Sequence, residues 1–183
     1  MSILSGVSKN SPARSAVRLT IIVRMHAVGA ATVRGRVLAF LGLLNSHEAE
    51  GLRLIRAVCN HAILIWRWQR ERGERGSSGI HPVPLQLTFP WGQQTFWGDN
   101  QVYVWFRGTW GNNAVKSALM ALDEWALRQC ELGVPFEDVF RKVIEDNDSV
   151  AALGVGVRLC LARPGKSLEC ALPLVTCPYL WAW

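Results

Sequence analysis

Acidic residues are absent from the first 47 positions of the chain, where five arginines and Lys9 stand without a carboxylate to balance them. Residues 1–78 hold 12 basic against 4 acidic side chains, a surplus of +8, and the remainder holds 8 against 10, a deficit of −2. A basic half of this kind meets nucleic acid or an anionic surface, forms a solvated helix face, or pairs with acidic neighbours in the fold.

Other absences narrow the chemistry. The five cysteines, Cys59, Cys130, Cys160, Cys170 and Cys177, form no C-x-x-C and share no ligand spacing with histidine. That excludes a zinc knuckle or a dithiol redox motif and leaves buried free thiols. The four histidines, His26, His47, His61 and His81, have no acid or cysteine at ligand spacing. Neither G-x-S-x-G nor any local Ser-His-Asp or Cys-His arrangement occurs. Asp123-Glu124 and Glu145-Asp146 are adjacent pairs, which point to different sides of a helix and do not converge. Gly165-Lys166-Ser167 echoes a phosphate loop, but Cys160 occupies the position of its first glycine and the preceding element reads as a helix. No catalytic residue, metal ligand or cofactor is therefore expected, and the chain reads as a non-enzyme.

Long apolar runs are also missing. Leu19–Val23 is the longest near the start, bracketed by Arg18 and Arg24, and is far too short to span a bilayer. The acid-free, Arg- and Ser-bearing lead shares its composition with mitochondrial transit peptides, although a cytoplasmic location is the expectation. Asn147-Asp148-Ser149 fits a glycosylation acceptor, but a capping role suits it better in that location.

What the chain does have is helical periodicity. Half the residues are hydrophobic, enough to bury a core over 183 positions. Residues 1–13 read as a flexible lead-in, followed by a helical pattern from Arg14 to about Leu44 with a break between Gly29 and Gly35. Asn45 or Ser46 is expected to cap the next helix, whose stripe Leu52, Ile55, Cys59, Ala62, Ile63 and Trp66 runs to about Arg70. Residues 71–79 read as a loop. Three prolines then leave a short extended segment at Leu85–Phe89, and Asn100–Arg107 fits a short helix or a strand. Asn113 is expected to cap a helix over Ala114–Leu132 that Gly133 stops, and Pro135 to open another. Asp148 or Ser149 would cap a third, Val150–Ala162, whose Ala151, Gly154 and Gly156 admit a close neighbour. A shorter apolar segment spans Leu168–Val175, and Tyr179 begins a further helix.

The expected fold is mainly α: antiparallel helix pairs, α-solenoid-like, with an irregular aromatic-rich loop in the middle. The basic helical segment 14–79 and the segment 80–183 would form one continuous helical domain. Because Leu-Trp-Ala-Trp is an apolar start with nowhere to go, truncation at 183 is also expected, the alternative being a C-terminus packed tightly inward.

Aromatic side chains crowd the middle. Phe89, Trp91, Phe96, Trp97, Tyr103, Trp105, Phe106, Trp110 and Trp125 are expected to form a structural cluster that docks the loop on the long helix, with Trp125 beneath it. Aromatics interleaved with cations can instead stack bases while arginine holds phosphate. On that alternative the contacts would come from Arg53, Arg56, Arg67, Arg70 and Arg107.

The segments FPWGQQTFWGD, VYVWFRG, NAVKSALMALDEWALRQCELG and DSVAALGVGVRLCLA, followed by LPLVTCPYLW, resemble the helical region of large bacterial STAND-like NTPases associated with anti-phage defence. The resemblance covers the C-terminal half. It implies a non-catalytic helical scaffold or sensor segment whose ATPase domain lies elsewhere in a longer polypeptide, since the nucleotide-binding loop is absent here. Its partners would be protein or those missing domains; nucleic acid is the alternative partner.

Overall fold

In the computed structural model, residues 33–72, 82–108 and 110–181 are described. They form eight α-helices, two 3-10 turns and a two-stranded antiparallel sheet. The expected lead-in at 1–13, most of the loop at 71–79 and the Gly29 end of the first helical break lie outside these residues.

Helix α1 (Val33–Ser46) and helix α2 (Glu48–Glu71) are separated by His47 alone. Neither Asn45 nor Ser46 caps α2. His47 holds the N-cap position without a side-chain bond, and the Ser46 hydroxyl donates back to the Gly42 carbonyl inside α1. Glu48 and Glu50 in the first turn of α2 and Arg70 in its last complement the helix dipole. Leu52, Ile55, Cys59 and Ile63 of the expected stripe are buried, while Ala62 and Trp66 are half-buried.

The aromatic stretch is ordered rather than irregular. Strand β1 (Leu85–Phe89) pairs with β2 (Gly92–Phe96) in a hairpin whose closing pair is Phe89 and Gly92. Pro90 pre-sets the turn, and Gly92 takes a φ of +135° that side-chain-bearing residues rarely adopt. Helix α3 (Asn100–Tyr103) and a 3-10 turn (Val104–Arg107) follow, so this ambiguous segment resolves as helical. Asp99 starts α3 by accepting the Val102 backbone N–H at 2.9 Å.

Helix α4 (Asn113–Glu131) is central. It packs against α1, α2, the 3-10 turn, α5 (Phe136–Ile144) and α6 (Val150–Ala162). Its cap is Asn112, which accepts from Ala114, and not Asn113, which lies within the first turn. Gly133 ends α4 at φ +88° as expected. Ser149, rather than Asp148, caps α6 by accepting from Ala151. A 3-10 turn (Pro164–Lys166), α7 (Leu168–Val175) and α8 (Pro178–Trp181) complete the described chain, with α7 against β1.

The small residues of α6 do what their size permits. A Cβ on Gly154 would lie 2.4 Å from the Phe106 ring, and one on Gly156 would lie 2.9 Å from Ile144. The chain therefore brings the 3-10 turn and α5 onto α6 at backbone distance.

Candidate functional site

Four of the five arginines able to meet phosphate, Arg53, Arg56, Arg67 and Arg70, lie on α2. Arg53 Nε donates to Glu50 at 2.9 Å one turn away. Arg56 donates to the Lys142 carbonyl at 3.0 Å and stands 3.6 Å from Asp146. Arg67 lays its guanidinium 3.5 Å over the Trp97 ring and reaches Glu71 at 3.7 Å. Arg70 binds Asp99 at 2.8 Å, holding the same carboxylate that starts α3. Arg107, in the 3-10 turn, lies over the Phe106 ring. Arg56, Arg67 and Arg70 are turned onto other elements of the fold, whereas Arg53 and Arg107 are exposed. At Arg70, a phosphate would have to displace the Asp99 carboxylate.

Neighbouring groups reinforce that junction. Asn60 on α2 donates to the Asp146 carbonyl at 2.7 Å and accepts from the Asp148 N–H at 2.9 Å. Trp97 donates to the Asp148 carbonyl and accepts from Val150, joining the hairpin exit to the start of α6. Burial pushes the Asp148 carboxyl up, opposed by nearby Arg67 and assisted by Asp146. Asn147 is buried and donates to Val143 at 2.6 Å, so the glycosylation sequon is not presented to solvent.

The aromatic rings mostly face one another. Phe89 stacks on Trp91 with centroids 4.9 Å apart and meets Phe96 and Phe140 edge-on or tilted. Tyr103 meets Phe106 edge-on. Phe89, Phe96, Trp105, Phe106 and Trp125 are buried, whereas Trp91, Trp97 and Tyr103 are half-buried. Trp110 departs from the cluster and is 65% exposed. Rings already packed in this way have few faces left on which a base could stack.

Asp123 is buried and paired with Arg158; burial raises its pKa while Arg158 opposes the shift. The charge of the exposed Glu124 adds to the rise. Burial pushes the Cys59 and Cys160 thiols up to about 12 and Cys170 up to about 11, the last with help from Glu137 and Glu169. Such thiols remain protonated at neutral pH and are poor nucleophiles. Among the described residues no group of three potential ligands could hold a metal ion. The Ser167 of the phosphate-loop echo is buried, its hydroxyl directed to the Cys160 carbonyl.

What the fold leaves uncovered is apolar. On α2, Leu64, Ile65 and Trp68 are exposed by 57%, 42% and 44%, on the side opposite the buried stripe. On α7, Leu168, Leu172 and Val175 are likewise exposed, at successive turns. Beside α7, a groove of about 380 Å³ runs along β1 between Leu85, Leu87, Pro173 and Tyr179. The outward line on α2 is not among the expected site residues. Its signal is a run of three- and four-residue steps, Leu54, Ala57, His61, Leu64 and Trp68, set behind the stronger inward stripe.

No family model, curated protein or solved structure matches the chain. Among the described residues no helix is long and apolar enough to cross a membrane.

Proposed function

We propose that the chain is a non-catalytic helical scaffold or sensor segment that makes protein–protein or interdomain contacts through helix faces. One observation carries this reading. Large apolar side chains that a helix normally buries gather uncovered on α2 and α7, while Arg56, Arg70 and Asp123 are held in pairs within the fold. Exposed apolar patches of this kind mark interaction surfaces.

On the family resemblance, such a segment works beside an ATPase domain carried elsewhere, in the cytoplasm, with no cofactor of its own. A solenoid-like stack of antiparallel pairs is one form of scaffold. The packing of α1 on the later helix α4 favours a cluster about α4 instead, because solenoid repeats touch only their neighbours.

Fluorescence anisotropy of labelled duplex DNA and single-stranded RNA, titrated with the full chain at low salt, separates this from the nucleic-acid reading. The expected result is no binding. Binding that fades steeply with added salt would move the function to the basic half.

A further inference from the structure

Helix α2 carries a second, largely apolar line that the described residues leave mostly uncovered. Leu54, Ala57, His61, Leu64 and Trp68 follow one another by three, four, three and four residues, the repeat of a two-helix seam. Ala57, His61, Leu64 and Trp68 are exposed and Leu54 is half-buried. The line lies on the side of α2 away from Ile55, Cys59 and Ile63, which are buried. A lone helix on a protein surface has no need of such a repeat; a helix that receives another does.

We propose that this seam docks a second copy of the chain, with the two α2 helices antiparallel and the two-fold axis at His61. The proposal rests on the reading of the chain as a protein-contact scaffold and names the partner of one of its faces. Symmetry about His61 sets Trp68 against the partner's Leu54 and Ile65 against the partner's Ala57, each contact occurring twice. A large side chain thus meets a smaller one in both of these layers, and His61 meets its own copy at the axis.

Charge selects the same arrangement. The first turn of α2 holds Glu48 and Glu50, while its C-terminal end holds Arg70 and Arg72. Antiparallel pairing brings Glu50 to the partner's Arg72; parallel pairing would bring like charges together. Both hydrogen bonds from Arg53 end on Glu50 Oε2, leaving Oε1 for a further donor. Arg72 lies over the Trp68 ring, at the edge of the seam where it would meet that carboxylate.

The test is sedimentation equilibrium of the full chain across the micromolar range. A monomer–dimer equilibrium is expected. Trp68→Asp should weaken it by at least about tenfold, as loss of a buried aromatic anchor does. Glu50→Arg should also weaken it, and adding Arg72→Glu should restore it. Only solvent-exposed positions change in that pair, so it remains informative if Trp68→Asp folds poorly. On mild oxidation, His61→Cys should give a disulfide-linked dimer absent from the parent chain, and Trp68→Cys should not. A monomer at every concentration, or a dimer indifferent to the charge reversal, overturns the proposal. Either result leaves the scaffold reading in place with a different partner, because that reading fails separately, on salt-sensitive nucleic-acid binding.

Discussion

The guanidinium of Arg67 lies 3.5 Å from the centroid of the Trp97 ring, joining the middle of α2 to the exit of the β-hairpin. Trp97 is fixed from its other side by backbone bonds to Asp148 and Val150. Arg67 and Trp97 together therefore link three regions that are distant in sequence. Arg67 belongs to the set read from the sequence as possible phosphate contacts, and its position explains why a basic helix need not bind an anion. In a double-mutant cycle of Arg67→Ala and Trp97→Leu, chemical denaturation should return a coupling of about 0.5–2 kcal/mol. Additive costs would show that the stacking does not hold the junction.

Close packing at Gly154 gives a steric expectation. A methyl group there meets the Phe106 ring at 2.4 Å, with the Tyr103 carbonyl 3.1 Å away. Gly154→Ala should lower the unfolding free energy by about 1–3 kcal/mol, the usual cost of overpacking. Combining it with Phe106→Leu should cost less than the two single changes added. Strict additivity would place the two residues apart.

Asp123 gives a pH expectation with a definite sign. Burial raises its folded-state pKa above the ordinary 3.8, Arg158 opposing but not cancelling the shift. The folded state then holds the proton more tightly than the unfolded state does. This group's contribution therefore declines as pH rises from about the ordinary value through the raised one, and is level on either side. Stability profiles of the parent and Asp123→Asn should differ in slope only in that window, with the parent falling relative to the variant. A parent profile that rises relative to the variant there would contradict the burial-driven shift.

Thiol accessibility separates the cysteines. Cys130 is half-buried, whereas Cys59, Cys160, Cys170 and Cys177 are buried. Timed labelling of the native chain at neutral pH should modify Cys130 first, and denaturant should release the other four. Fast native labelling of Cys59 or Cys160 would contradict the packing around them.

Much of the helical skeleton was legible because local signals agreed. In α4, an apolar face, an asparagine at the start and Gly133 at the end all marked one element, so its bounds differ from the expected ones by a residue at each end. The Leu85–Phe89 strand could be read from the prolines before it, but its partner could not. Gly92–Phe96 is short, largely polar and without alternation, and becomes a strand only through pairing. Caps went to a neighbour at Asn112 and His47 because adjacent residues differ only in backbone angle, while Ser149 caps α6 as one of its two expected candidates. The partners of Arg56 and Arg70, Asp146 and Asp99, lie far along the chain, where no local pattern points to them. The outer face of α2 was masked by its stronger inner stripe.

The two faces of α2 put the central reading to its most direct test. Ile63, 2% exposed, belongs to the core, and Trp68, 44% exposed, belongs to the face assigned to a partner. Unfolding free energies should be measured by denaturant titration at protein concentrations where the chain is monomeric. Ile63→Ala should then cost about 2–5 kcal/mol and Trp68→Ala no more than about 0.5 kcal/mol. Equal, large losses at both positions would show that the outer face holds this fold together, and that α2 offers nothing to a partner.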